Sequence, residues 1–305
     1  MARGKARPKP CPYSAFRGAF FLESHVVGEP AVGRIICIAN RKGGVGKTTT
    51  AINLSAALGV AGEASLLIDC DPQGNATSGV GVKLETDTLT LYDALLGGCQ
   101  INEAVQKTAI AQLDVLPANH DLIGAEIELL NLEQREYRLR TLLHQQRQQY
   151  RYLVLDCPPS LGLLTVNALT AADSVLIPLQ CEYYALEGLR SLLETITLIR
   201  ERLNPELAIE GLLLTMFDPR NKLCHQVAEE VRRFFPHQVF DTVIPRNVRL
   251  SESPSHGLPI VLYDPSCRGA QSYVELAREV TRREPTAWVA QPAHQHAEKE
   301  RGVER

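Results

Sequence analysis

Paired cysteines, long apolar runs and an excess of positive charge are all scarce in this chain. Eight cysteines stand at positions 11, 37, 70, 99, 157, 181, 224 and 267, and no two form a C-x-x-C pair. That spacing excludes the usual structural zinc site and gives no basis for a disulfide framework. Cys37, Cys70 and Cys157 fall inside apolar, strand-like runs and read as small core residues, reduced as in a cytosolic protein. No run reaches the ~18 apolar residues that a membrane-spanning helix needs. The formal net charge is -3, so the chain does not coat nucleic acid by bulk charge. Any DNA affinity must come from a local basic patch.

What is present is a globular composition, with 45% hydrophobic and 22% charged residues among 305, enough for one large core or two modest ones. The first residues are basic (Arg3, Lys5, Arg7, Lys9) and precede "AFRGAFFLESHVV". Arg17 interrupts that apolar patch and Glu23 closes it, which makes a poor signal-peptide core. Residues 1–32 are therefore expected to be a disordered basic leader. The polar stretch after Glu284, without helical periodicity, predicts a disordered tail over 285–305. Between them, 33–284 reads as one domain.

Seven apolar runs in that domain read as buried strands: 33–40, 64–70, 113–118, 151–157, 173–179, 210–217 and 238–245. Helical patterns fall at 47–59, 121–149, 184–203, 223–235 and 269–283. Near-continuous apolar strands alternating with helices predict an α/β fold, a mostly parallel twisted sheet with helices on both faces.

The first strand runs into "KGGVGKTT", residues 42–49, and a helix follows. Strand, glycine-rich turn and helix are the context of a phosphate-binding P-loop. Gly43, Gly44 and Gly46 let backbone N–H groups turn inward toward an anion, and the helix adds unpaired N–H groups at its positive end. Lys47 can reach the β- and γ-phosphates, and Thr48 can place its hydroxyl on Mg²⁺. The strict G-x-x-x-x-G-K-[ST] pattern fails by one position, because Arg41 stands where the first glycine belongs and Lys42 follows it. Val45 and Thr49 complete the expected nucleotide-contacting loop.

Three carboxylates follow. Asp69 and Asp71 close the second strand in "IDCDPQGN", on one face by alternation, at the carboxyl edge where ligands of open α/β sheets bind. Either can also cap a loop, since Asp-Pro is a frequent turn opener. Asp156 ends "RYLVL" as a Walker B carboxylate would. A charge there needs compensation, which a Mg²⁺ water shell supplies. In "IPRN", Pro245 offers a flat apolar face and Asn247 an amide suited to a base edge or to capping a helix.

"KGGVGKTT" resembles the deviant Walker A of the ParA/MinD group of P-loop ATPases. "LLIDCDPQGNATSGVG", "YLVLDCPPSLGLLTVNAL" and "VIPRNVRLSESPSHGLPI" narrow the resemblance to the ParA/Soj partitioning branch, over about residues 34–284 and with the motifs in family order. The resemblance implies a P-loop NTPase fold, with ATP and Mg²⁺ as cofactors. Lys42 is implied to contact the nucleotide of a second subunit, so that two ATPs are sandwiched in a homodimer. A cation on the outer edge of the loop can neutralise γ-phosphate charge across an interface, as an arginine finger does. The resemblance also casts Asp71 as the residue that positions the attacking water, with Lys42 and Lys47 as its catalytic partners. Thr48, Asp156 and Asp69 fall at or near Mg²⁺, and Pro245 and Asn247 close over adenine. Turnover is implied to be slow, below the enzyme median of about 10 s⁻¹.

Non-specific double-stranded DNA is the implied ligand of the ATP dimer, through Arg220, Arg246 and Arg249. A ParB-type centromere-binding protein is the implied partner that resets it. The implied location is cytoplasmic and nucleoid-associated, with no membrane. The MinD branch, a membrane-surface ATPase for placing division sites, is the alternative. It should end in a short basic amphipathic helix, and the segment after Pro285 has no apolar stripe. An iron–sulfur ATPase needs cysteines that meet at a dimer axis, and Cys157 reads better as core. A metabolic ligase of the superfamily needs a substrate-domain insertion that is not visible.

Overall fold

Side chains on a strand alternate between the two faces of its sheet, so each apolar run here supplies two cores at once. In the computed structural model, which describes residues 32–182 and 185–286, the sheet has seven strands, six of which realise this pattern. The seven are β1 (Arg34–Ile38), β2 (Ser65–Asp69), β3 (Gln106–Lys107), β4 (Leu113–Leu116), β5 (Tyr152–Asp156), β6 (Ser174–Gln180) and β7 (Ala208–Thr215). Their order across the sheet is β3-β4-β2-β5-β1-β6-β7. Every pairing is parallel except β3 with β4. Every residue of β2 and β5 is buried, as parallel strands covered on both faces require.

Ile35, Cys37, Leu66, Ile68, Leu153 and Leu155 face one core, and Ile36, Ile38, Leu67 and Val154 face the other. The second core is closed by α1 (Lys47–Ala61) and by a long C-terminal helix, Arg268–Arg282. Twelve residues of α1 are buried, because it lies between the sheet and that helix. Helices α2 (Asn75–Gly79), α3 (Leu122–Glu128), α4 (Leu163–Ala171), α5 (Ala185–Arg202), α6 (Lys222–Phe234) and α7 (Val248–Glu252) follow, with the C-terminal helix as α8; further helices stand at Leu91–Leu96, Ile101–Ala104, Arg138–His144 and Ile260–Tyr263. Helices α3 to α6 lie over the first core through residues such as Leu122, Leu164, Leu192 and Val231. No helix among the described residues is long and apolar enough to cross a membrane.

The structure corrects two expectations and adds one short strand. Residues 238–245 do not form a strand, although they run beside β7 and make isolated bridges through Val239 and Pro245. Phe240 and Ile244 donate to the carbonyls of Leu212 and Leu214, at 3.0 and 2.9 Å. Between them the amides of Asp241 and Thr242 turn away to the Glu279 carboxylate on α8, at 2.9 and 3.0 Å, and the ladder is broken. The single helix expected over 121–149 is interrupted, with Leu132 extended and Gln134 left-handed at φ 53°. Leu122, Leu129, Leu139 and Leu143 still face one core, which is why the periodicity carries across the break. The antiparallel edge strand β3 is two residues long and has no apolar run to announce it.

The leader expected over 1–32 lies outside the described residues apart from Val32, and so does the tail over 285–305 apart from Pro285 and Thr286. Thr286 pairs with Ile209 in an antiparallel bridge, two residues past the expected boundary.

Gly211 on β7 faces the fully buried Phe240, whose ring atoms would lie 2.5–2.9 Å from an added Cβ. An added methyl group would force the buried ring or the strand to shift. Gly211→Ala is therefore expected to lower stability by about 1–3 kcal/mol, the usual cost of overpacking. The midpoint of urea unfolding, at unchanged slope, checks this.

Candidate functional site

The loop between β1 and α1 is suspended from two neighbouring strands. Asn40 donates its amide to the Pro178 carbonyl on β6 at 2.7 Å and accepts the backbone N–H of Lys42 at 2.9 Å. Thr215, at the end of β7, donates its hydroxyl to the Val45 carbonyl at 2.9 Å, while the Val45 side chain is buried. Gly44 and Gly46 take φ of 72° and 90°, a region that disfavours any Cβ. At Gly43 and Gly44 an added Cβ would meet nothing within 4 Å, and at Gly46 only Thr215 at 3.9 Å. The loop therefore encloses an open cradle. Gly46 caps α1 without a side-chain hydrogen bond, and no acidic residue occupies the first turn. The N–H groups of that turn are left to an incoming anion.

Lys47 is buried and reaches across the cradle to the Lys42 carbonyl at 3.2 Å. Burial draws its ammonium below the ordinary lysine value, and Asp156 pulls it back. Asp69 and Asp156 are register partners on β2 and β5, both fully buried. Neither carboxylate oxygen of Asp156 has a hydrogen-bond partner. Burial, reinforced by the nearby Asp69 charge, pushes its carboxyl well above the usual carboxylate range, and Thr48 and Lys47 do not offset this. An orphaned buried carboxylate below an anion cradle and beside a threonine hydroxyl suits a hard divalent cation, which binds oxygen donors and keeps its water. Thr48 and Asp156 are the residues placed to serve one.

Asp69 is engaged elsewhere. One oxygen accepts the N–H and hydroxyl of Thr77 at 2.8 and 2.7 Å, and the other accepts the Asp71 N–H at 3.2 Å. In this state it fastens the 70–77 turn, the loop-capping role of its two readings. Strand β2 stops at Asp69, so Asp71 comes to the site through a turn and not by alternation along a strand. Asp71 accepts the Gln73 N–H at 3.0 Å through one oxygen, and is otherwise nearly buried at the cradle's edge.

A cavity of about 430 Å³ continues from Gly46 and Thr49 to Pro245 and Asn247. Asn247 caps α7 by accepting the Arg249 N–H at 2.8 Å, which leaves its amide N–H₂ outside that bond. Lys42 points outward and pairs with Glu182 at 2.5 Å, with both side chains part-exposed. Arg220 and Arg246 lie on adjoining loops, because the Arg246 N–H donates to the Phe217 carbonyl at 3.1 Å. Arg249 follows on α7. Arg220 is paired with Asp218, and Arg249 with Glu252 and Asp264, whereas Arg246 has no carboxylate within 4 Å among the described residues.

Thr77, Glu182, Thr215 and Met216 escaped the sequence reading. Met216 lines the cavity and is left-handed at φ 50°; in "EGLLLTMF" it reads as plain strand. Thr77 stands in the flagged "QGNAT", but nothing in its spacing names its partner. Glu182 carries no signal, since its meaning depends on Lys42, 140 positions away.

Burial raises the Asp69 pKa to about 6, from an ordinary 3.8. The folded chain then holds this proton more tightly than the unfolded chain, so stability falls as pH rises from about 4 to about 6 and stays lower above that. Asp69→Asn keeps an acceptor for Thr77 and removes the buried charge. It is expected to exceed wild type by about 1–3 kcal/mol at pH 7, given 1.36 kcal/mol per pH unit, with no advantage at pH 4. Urea unfolding at both pH values checks this, and equal differences at the two would show that the charge is not the cause.

A family model described as an AAA domain matches residues 33–209. The chromosome partitioning protein ParA of Myxococcus xanthus is 57% identical to this chain, over 88% of it and 95% of that protein. The sporulation initiation inhibitor protein Soj of Bacillus subtilis is 56% identical, over 82% and 98%. The crystal structure of cobyrinic acid a,c-diamide synthase from Mycobacterium smegmatis with bound ADP and magnesium matches with a TM-score of 0.73 at 35% identity, over 85% of this chain and 100% of that one. With more than half of the aligned residues identical to each of the first two relatives, along nearly all of their length, the chain belongs to the ParA/Soj family of P-loop partitioning ATPases.

Proposed function

We propose that the protein is an ATP-driven dimer switch that binds double-stranded DNA without sequence preference and is reset by a ParB-type partner. The observation that carries this reading is the pairing of an open phosphate cradle with an unpartnered Asp156 carboxylate directly below it. ATP supplies the anion and Mg²⁺ the cation that such a pair calls for. When bound, Mg²⁺ supplies charge neutralisation at the phosphates.

The chain's own residues divide the work. The Gly43–Gly46 amides and the first turn of α1 hold the phosphates, and Lys47 bridges the outer ones. Thr48 and Asp156 hold the cation's water shell. Asp71, anchored through Gln73, orients the attacking water with its remaining oxygen. Pro245 and Asn247 flank the adenine in the cavity beyond Thr49. The position on the nucleoid within the cytoplasm follows from DNA binding in this reading.

Lys42 is the switch contact. In the single chain it is held by Glu182, and dimerisation requires that pair to open toward the second nucleotide. Exposed ion pairs are worth about 0–1 kcal/mol, so Glu182 delays the crossing without preventing it. The same magnitude governs Arg220 and Arg249: DNA phosphates can displace their carboxylate partners, particularly when a dimer doubles the patch. ATP acts as a switch only through contacts that favour one state over the other, and Lys42 provides one.

DNA retention measured with ATP, with ADP and without nucleotide tests the reading. Lys42→Ala should lose ATP-dependent dimerisation and retention. Asp71→Ala should stay on DNA with ATP while hydrolysis drops about 100-fold or more, the scale of a lost general base. Equal DNA binding in every nucleotide state would refute the switch. Glu182→Gln should lower the ATP concentration for half-maximal dimerisation by about two- to fivefold, the equivalent of one exposed ion pair. Sedimentation against ATP concentration measures it.

A further inference from the structure

Helix α3 and the 3₁₀ turn after it (Leu129–Asn131) are apolar on two sides. Leu122, Ala125 and Leu129 enter the core. Ile123, Ile127 and Leu130, spaced four and three residues apart, form a second stripe on the opposite face and are 52%, 66% and 55% exposed. A helix with an unpaired apolar stripe marks an interaction surface more often than a solvent face. Charge identifies what it fits. From Asp121 to Glu136 the chain carries Asp121, Glu126, Glu128, Glu133 and Glu136 against one cation, Arg135, which donates to the Leu130 carbonyl at 2.9 Å and pairs with Glu136. A second copy of this face, or an anionic lipid surface, would be repelled. A basic segment with interspersed apolar residues would be attracted and held.

The same helix also reaches the turn that follows Asp156. The Glu126 carboxylate lies over Gly162, where an added Cβ would stand 2.1 Å from its Oε1, and that oxygen has no hydrogen-bond partner. Gly162 ends the turn that leaves Asp156 and begins α4. A protein pressed onto α3 therefore bears, through Glu126, on the segment that carries the Asp156 carboxylate.

We propose that the outer face of α3 is the docking surface for a basic, apolar-containing segment of the protein that stimulates hydrolysis. This rests on the partner-reset reading above. The occupant contacts Ile123, Ile127 and Leu130 and is steered by Glu128 and Glu133, and its effect on the site passes through Glu126.

The test titrates purified ParB-type protein from the same organism into the full chain with ATP and DNA, and reads stimulated hydrolysis and binding at two salt concentrations. Ile123→Ser combined with Ile127→Ser should raise the half-maximal partner concentration about tenfold or more, as expected for truncated interface anchors. Glu133→Lys should raise it about two- to fivefold at low salt and less at high salt. Basal hydrolysis and ATP-dependent DNA retention should stay within about twofold of wild type, since none of these residues touches the nucleotide site. Variants stimulated like wild type would overturn the docking surface and leave the switch standing. Variants that lose the ATP-dependent dimer would reassign the face to a second copy. Stimulation that rises when residues 1–31 are deleted from wild type, but not from the Ile123/Ile127 variant, would reassign it to the chain's own basic N-terminus. A wild-type chain that the partner never stimulates would remove both proposals.

Discussion

Negative charge gathered at a dry sheet edge is the constraint on which this molecule turns. Parallel pairing sets Asp69 directly beside Asp156, at the carboxyl ends of strands buried on both faces, and the turn after β2 brings Asp71 alongside. Water cannot screen these groups, and Lys47 is a single, itself desolvated, cation. The chain relieves Asp69 with three hydrogen-bond donors and Asp71 with one, and leaves Asp156 with none. Buried polar groups are almost always partnered, and of these three carboxylates Asp156 is the one left open to a ligand. The folded chain stores destabilisation at the point where binding can release it.

The rim of the same site follows the opposite rule. Lys42, Arg220 and Arg249 each hold a carboxylate of their own chain, all at the surface. Surface pairs are weak because water competes for both partners. They fix the geometry of the surface side chains at little cost.

Much of the fold was legible because it rests on short-range pattern. Six of the seven apolar runs became strands, and the loop glycines and Lys47 took up the cradle their spacing suggests. Residues 238–245 read as a seventh strand because their apolar alternation is genuine, yet Glu279, nearly forty positions away, takes two of the amides a strand would need. The 121–149 helix read as continuous because its apolar positions keep one face across a break that only backbone angles reveal. Asp71 reached the site by a turn where alternation suggested a strand.

The sequence by itself determined the layered parallel sheet, the phosphate loop and the family, because burial period, glycine placement and motif order are written in neighbouring residues. The tertiary structure alone decided which charges are satisfied. It set Glu182 against Lys42 and Thr77 against Asp69, and left Asp156 with only Thr48 and Lys47 near it, too little to offset its burial. Such partnerships depend on distance in space between residues far apart along the chain, and no local spacing encodes them.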